Sequence, residues 1–449
     1  MLVLLSDLHL CDGTSAHNVH PEAFAGLLLQ EIRSSALSKK AVDLHIVLLG
    51  DIVDLVRTDY WVRQPKDDRP WNGSLDKNTA MNPSPAVQTG YETVLMHSLE
   101  TETADALRTM IQGLTNLSVD NRPIPLTVTY VVGNHDRAFH NYPTLQQTFS
   151  TWLNMPVAFE HALHAPDYNL IARHGHVWDD SCHSYDLYTK VLKKKEPKPD
   201  RRDPMLDSIQ NIGEVVTAEL MSGLVCYIGQ GVGANNSAGL VDLVKEGNNV
   251  RPEADALLWV EWMGRNVFNT QDKKLVMDSL KMALDGVLSS SLAKWWDKIK
   301  TDTWITGDLT DRLTLVKAAL KGNFDDLKKI FPLLAGAYEF FTGDKDKYAE
   351  HALTEISETA GCQYAVYGHT HFAKTDYFSG EPDGRVKMYI NTGTFLPLIQ
   401  KASVGGYGTD YRMTLTFFYR GDEDTRDKRG NMVSLESWQG RKRKQYNTF

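Results

Sequence analysis

A chain of 449 residues is too long for one ordinary core, so it holds either a large domain carrying an insertion or two domains. A hydrophobic fraction of 42% and a charged fraction of 23% exclude a disordered chain. A formal net charge of −9 argues against a generally basic nucleic-acid binder while leaving open a local basic groove.

In chain order, Leu2 to Leu5 reads as a buried strand, Pro21 to Leu37 as an amphipathic helix and Leu44 to Leu49 as a second strand, the start of an α/β sheet. The first strand runs straight into Asp7, which leaves no room for a signal peptide. No run reaches the ~20 apolar residues of a membrane span. Cys11, Cys182, Cys226 and Cys362 are far apart with no C-x-x-C spacing, which fits a reducing compartment. The expected location is cytoplasmic. Asp59 to Gly90, with Trp61 and Trp71, reads as a long functional or mobile loop.

Val128 to Val132 and Leu170 to Ala172 are predicted strands, and Lys193 to Pro204 a proline-broken linker. Beyond it the spacing turns helical, through Val276, Leu280 and Val287 and again through Leu309, Leu313, Val316 and Leu320. Trp259, Trp262, Trp295, Trp296 and Trp304 lie in this region, either as core or as an aromatic lid. Strands return with Tyr364 to Tyr367, Val386 to Ile390 and Met413 to Tyr419. The run Arg441 to Lys444 reads as a solvated basic tail.

Five polar clusters each follow an apolar run: Ser6-Asp7-Leu8-His9, Gly50-Asp51-Ile52-Val53-Asp54, Gly133-Asn134-His135-Asp136, His174-Gly175-His176 and Gly368-His369-Thr370-His371. Strand ends are where open α/β sheets bind ligands. Singly, each cluster reads equally as a turn. Together they supply Asp, Asn and His donors in the number that two divalent ions need, a mixed oxygen and imidazole set suited to Mn, Fe, Zn or Co, with Mn favoured.

In this order the clusters resemble the D-x-H, G-D-x-x-D, G-N-H-D, H-G-H and G-H-x-H motifs of the calcineurin-like metallophosphoesterases, over Asp7 to His371 with the helical region outside the match. The resemblance implies an α/β fold, a four-layer αββα sandwich in two parts (1–182 and 358–449) interrupted by a helical insertion or lid (183–357). It implies that Asp7, His9 and His371 hold one ion, that Asp51 bridges, and that Asn134, His174 and His369 complete the second. His135 would be the general acid, oriented by Asp136, in attack by a metal-bridging hydroxide on a phosphate ester.

His176 competes with His174 for the fourth motif and otherwise faces substrate. Asp54 is expected to organise its loop, and Asn391-Thr392-Gly393-Thr394 to lie near the metals. His17 and His20 read as solvated or as substrate contacts, His45 and His97 as packing residues. Gly50-Asp51-Ile52-Val53-Asp54-Leu55-Val56 departs from the G-D-x-V-D-R-G of protein phosphatases. A small or lipid-like phosphodiester or phosphomonoester is therefore the expected substrate. A DNA or RNA nuclease is the alternative, disfavoured by net charge, and a non-catalytic scaffold the third reading.

Overall fold

The computed structural model describes residues 1–252, 255–299, 345–378, 386–424 and 433–444, with Leu313, Thr314 and Lys317 in addition. Trp304 and most of the predicted Leu309 to Leu320 helix lie outside the described residues. The chain is α/β, built on two mixed sheets.

The first sheet comprises β1 (Leu2–Leu5), β2 (Leu44–Leu49), β5 (Leu126–Val131), β6 (Ala158–Glu160), β12 (Pro397–Lys401), β13 (Tyr407–Tyr419) and β14 (Ser434–Lys444); β3 (Ser118–Val119) and β4 (Arg122–Pro123) form a separate hairpin. Its order is β12-β13-β1-β2-β5-β6, with β14 on the other side of β13. Strands β1, β2, β5 and β6 are parallel, with Leu2 opposite His45 and Leu44 opposite Leu126. The second sheet, β10-β11-β9-β8-β7, holds β7 (Leu163–Ala165), β8 (Leu170–Ala172), β9 (Tyr364–Tyr367), β10 (Lys374–Tyr377) and β11 (Met388–Asn391). Its three central strands are parallel.

Alternation along the strands decides which face meets what. Leu2, Leu4, Val47, Leu49 and Val131 point from the first sheet into one cluster with Leu170, Ala172, Val366 and Ile390 of the second, so the sheets pack face to face. Met1, Val3, Leu5, Ile46 and Leu48 point the other way, into a core with helices Leu29–Ser38, Pro85–Leu99, Glu102–Gln112 and Pro143–Leu153. The outer face of the second sheet, Ala365, Tyr367 and Tyr389, is covered by Tyr348, Ala352 and Ile356 of helix Lys345–Glu358.

The region after the linker is helical, and it is not a separate module. Leu206, Ile212, Val215, Ala218, Leu224, Val276, Leu280 and Leu284 belong to the same apolar cluster as the first sheet's outer face. Helix Thr270–Ser289 starts at a capping box, Asn269 with Asp272, and buries the predicted Val276, Leu280 and Val287. The segment Pro204–Gly231 is long and apolar enough to cross a membrane, but most of it is buried inside the molecule.

Three expectations need correction. Asp59 to Gly90 is a loop only in its middle, residues 64–84 with one tight turn at Lys66–Asp68: Tyr60–Arg63 and, from Pro85 under a Ser84 cap, Pro85–Leu99 are helical. Trp61 and Trp71 are buried core residues in it, because two indoles supply more apolar surface than a solvated loop can leave in water. The basic run 441–444 ends β14, its backbone paired with Thr409 to Arg412, so it is no tail. His97 is exposed rather than packed. The linker from Lys193 to Asp203 is irregular as expected, and Pro204 opens the next helix at its first position.

Candidate metal centre

The carboxyl ends of β1, β2, β5, β8, β9 and β11 deliver the polar clusters to one edge shared by the two sheets. Hydrogen bonds stitch them together: Asp7 N donates to Gly50 O (3.0 Å), His9 N to Asp51 O (2.9 Å) and Gly368 N to His174 O (2.9 Å). Asp7, His9, Asp51, His369 and His371 all adopt left-handed backbone, φ 47° to 70°. This region is uncommon for residues with a Cβ, and such strain collects at functional sites. Gly50, at φ 80°, also lies so close to His174 that a Cβ there would sit 2.5 Å from the imidazole.

The Asn391-Thr392-Gly393-Thr394 turn braces the edge. Thr394 Oγ1 donates to Asp7 O (2.7 Å), Asn391 Nδ2 to Gly368 O (2.7 Å), and Thr392 Oγ1 meets Ser6 Oγ at 2.6 Å.

Donor atoms converge in overlapping groups, among them His9 with Asp54 and His135 and His369 with Asp179 and Cys182, and two groups hold the predicted ligands. Asp7, His9 and His371 form one and Asp51, His174 and His369 the other, each with its donor atoms within 4.8 Å of one another. Asp7 Oδ1 lies 3.4 Å from His371 Nε2 and 3.3 Å from His174 Nε2, and Asp51 Oδ2 lies 3.5 Å from His174 Nε2 and 3.9 Å from His9 Nε2. Bonds of ~2.0–2.2 Å at tetrahedral angles put neighbouring ligand atoms roughly 3.3–3.6 Å apart, so the three shorter edges match the spacing of ligands around an ion, while without one His174 and His371 share hydrogens with Asp7. Asn134 Oδ1 is buried with no hydrogen-bond partner, an orphaned acceptor of the kind a cation satisfies. The set fits one or two divalent ions of the kind mixed Asp, Asn and His donors hold.

The ring nitrogens carry tautomer information, assigned here from their partners. His9 Nδ1 meets Asp54 Oδ2 at 2.8 Å, which makes Nδ1 the donor and leaves the Nε2 lone pair inward. His369 Nε2 meets Asp179 Oδ2 at 3.2 Å, leaving Nδ1 as the free lone pair. His371 differs: Arg251 Nη2, which can only donate, lies 2.8 Å from Nδ1, so a neutral His371 carries its proton on Nε2, 3.1 Å from His9 Nε2. Holding an ion through His371 Nε2 therefore requires Arg251 to let go.

Electrostatics agree with a ligand set. Burial pushes His174 down, and burial with the Arg251 charge pushes His371 down, so both are neutral imidazoles at neutral pH. His9 is pushed down to about 3 by burial and the Arg57 charge. Burial raises Asp7, but hydrogen bonds from His174 and His371 outweigh it and hold the carboxyl well below the usual range. Asp51 is raised by burial and by the charges of Asp136 and Asp7, the repulsion a bound cation removes.

His135 lies beside this set and lines the cavity above it. Its expected partner differs. Asp136 accepts from Ile52 N (3.0 Å), Tyr130 OH (2.5 Å) and Gly133 N (2.5 Å), which fixes the loop rather than the imidazole. The carboxylate beside the His135 ring is Asp54, 3.0 Å from Nδ1 though not aligned as a hydrogen bond. Asp54 also accepts from Val56 N and Arg57 N, so it organises its loop, as expected, and reaches two histidines besides.

A cavity of about 350 Å³ opens over Asp51, Asn134, His135, His369 and His371. Its far wall is Val216, Arg251, Pro252 and Tyr348 from the region after the linker, with Phe372 and Tyr389. Of the predicted lid tryptophans, the four described take no part in lining it: Trp259 and Trp296 are buried core, and Trp262 and Trp295 pack against that core. His17 and His20 also lie off the cavity, and His45 meets Thr129 Oγ1 at 2.8 Å. Sequence reasoning missed Arg251, Asp179 and the pairing role of Asp54; only Asp54 carried a signal, its place in G-D-x-x-D.

Comparison with protein-family models and with curated proteins finds no match.

Proposed function

We propose that the chain is a dinuclear-metal phosphoesterase of the calcineurin-like type, its two sheets and flanking helices forming the four-layer αββα sandwich. The observation that carries this reading is the convergence of Asp7, His9 and His371 beside Asp51, His174 and His369, with the orphaned Asn134 Oδ1 at the same edge. Two divalent ions bound there would supply Lewis-acid activation of a water and of the phosphoryl group. The protein's own part is to hold neutral imidazoles and ionised Asp7 in place, and to set His135 at the cavity floor, where its proton serves the leaving oxygen. Arg251, once released from His371, is the cavity's donor for a phosphoryl oxygen.

The substrate reading follows from the wall. A cavity with Val216, Pro252, Tyr348, Phe372 and Tyr389 in its lining suits a small or lipid-like phosphodiester or phosphomonoester better than a nucleic-acid strand, which needs a long basic path. The test assays phosphomonoesters, phosphodiesters, nucleotides and single-stranded DNA with Mn²⁺, beside metal content. Chelator should abolish turnover and Mn²⁺ restore it, and Asp51→Asn should lose both ions and activity while circular dichroism stays native. Two ions with near-normal turnover in Asp51→Asn would remove it from the bridge, and DNA as the best substrate would favour the nuclease.

A further inference from the structure

Asp207 belongs to none of the motifs, yet among the described residues it is the centre of a four-histidine cluster outside the candidate ligand groups. It lies in the short helix Pro204–Asp207 after the linker and is 4% exposed. His161 Nδ1 meets its Oδ2 at 2.8 Å, while His176 Nε2 and His183 Nε2 face its Oδ1 at 3.5 and 3.7 Å. His140 stacks on His161, ring centroids 3.9 Å apart and 2° from parallel.

The cluster reaches the metal centre through His176, whose Nδ1 lies 3.1 Å from His174 Nδ1. Two ring nitrogens at that distance share a single proton. His174 turns Nε2 toward Asp7 and Asp51, so if Nε2 is the ligand, Nδ1 carries the hydrogen and donates to His176 Nδ1. His176 then holds its own hydrogen on Nε2, the atom facing Asp207 Oδ1. Each link forces the next.

Resting on the phosphoesterase reading, we infer that Asp207 is a positioning residue that acts through His176 to fix the tautomer and orientation of His174 as a ligand of the second ion. Such partners of a ligating histidine set its ring and raise its basicity. At 3.5 Å the last link is longer than a good hydrogen bond, and Asp207 Oδ1, with His183 Nε2 at 3.7 Å on its other flank, accepts no closer one, so the link can close when His174 Nδ1–H becomes a stronger donor. Burial raises the Asp207 carboxyl, but the His161 hydrogen bond and the neighbouring His176 and His183 imidazoles outweigh it and keep it an anion.

The same cluster makes a poorer ion site. The donors of His140, His161 and Asp207 lie within 4.8 Å of one another, but rings stacked in parallel aim their in-plane lone pairs side by side rather than at one point. His176 as a ligand through Nε2 would need its hydrogen on Nδ1, against the hydrogen of His174.

The test titrates Co²⁺ into the full chain, following the visible bands, and assigns the His174 and His176 tautomers by long-range ¹H–¹⁵N correlation in the protein loaded with diamagnetic Zn²⁺. The wild type should take two ions and show Nδ1–H on His174 and Nε2–H on His176. Asp207→Asn should weaken the second ion by about 10–100-fold, leave the first unchanged and scramble the tautomers, and Asp207→Glu should restore most of the affinity. If Asp207→Asn does not fold, His176→Phe reads the same weakening. Fewer than two ions in the wild type would sink the phosphoesterase reading and this inference with it. Two ions held equally by wild type and variant would sink the relay alone. A third ion lost in Asp207→Asn would overturn the relay in favour of an ion site.

Discussion

His135 shares Asp54 with His9, and the two rings meet edge to face with centroids 4.8 Å apart. One carboxylate thus orients a ligand and the residue assigned the acid role. The roles separate under mutation: His135→Ala removes no donor from either ligand group, so both ions should stay while the rate falls by roughly 10²–10⁴-fold. Esters with good leaving groups need little protonation and should lose less. Equal slowing of an activated aryl ester and an alkyl ester, or loss of an ion in this variant, would end the acid assignment.

At the scale of elements, the site depends on backbone meeting backbone where β1, β9 and β11 end. Gly368 shows how tight this is: a Cβ there would lie 2.5 Å from Asp7 Oδ2 and 2.6 Å from Ser6 Oγ. The obstruction is a carboxylate held by Ser6 Oγ, His174, His371 and the His369 N–H at 3.0 Å, so it cannot swing away. Gly368→Ala should therefore displace Asp7, costing metal at the first ion and about 1–3 kcal/mol of stability, as overpacking usually does. Metal analysis beside urea denaturation checks it. A variant with full metal content would show that the strand ends have more slack than their spacing implies.

At the scale of the whole molecule, the helices after the linker are tied to the first half by a buried ion pair as well as by the shared core. Arg69 Nη1 reaches both oxygens of Glu219 at 2.8 Å, and Trp71 Nε1 donates to the same carboxylate at 2.6 Å. Arg69→Met leaves a charge stranded in the interior and should cost about 3–5 kcal/mol, whereas adding Glu219→Leu should recover most of it. Urea midpoints of the single and double variants decide this, and a single variant within about 0.5 kcal/mol of wild type would refute the tie. Because Leu206, Leu224 and Leu280 share the core of the first sheet's outer face, cutting the region out would expose apolar surface instead of freeing a lid.

Local pattern determined what local physics controls. Apolar runs of four to six residues at Leu2–Leu5 and Leu44–Leu49, the second broken only by the part-buried His45, are readable as buried strands, because burial on both faces leaves little place for a polar side chain. The five polar clusters are readable too, because each sits where a strand must end, and chain order alone brings Asp7, His9, Asp51, His174, His369 and His371 into question. The irregular linker follows from its prolines.

Tertiary structure decided the rest. Trp61 and Trp71 look like loop residues until the core that receives them exists. The basic run 441–444 looks like a tail until β13 offers it an edge. Asp54 rather than Asp136 stands beside His135, and Arg251 and Asp207 reach the ligand histidines from segments far along the chain, at 2.8 Å to His371 and through His176 to His174. Contacts between residues over a hundred positions apart, such as Arg251 with His371, leave no periodicity in a sequence. They arise only when the fold sets which side chains share a buried space, and there the need to pair each buried charge and donor selects the partners.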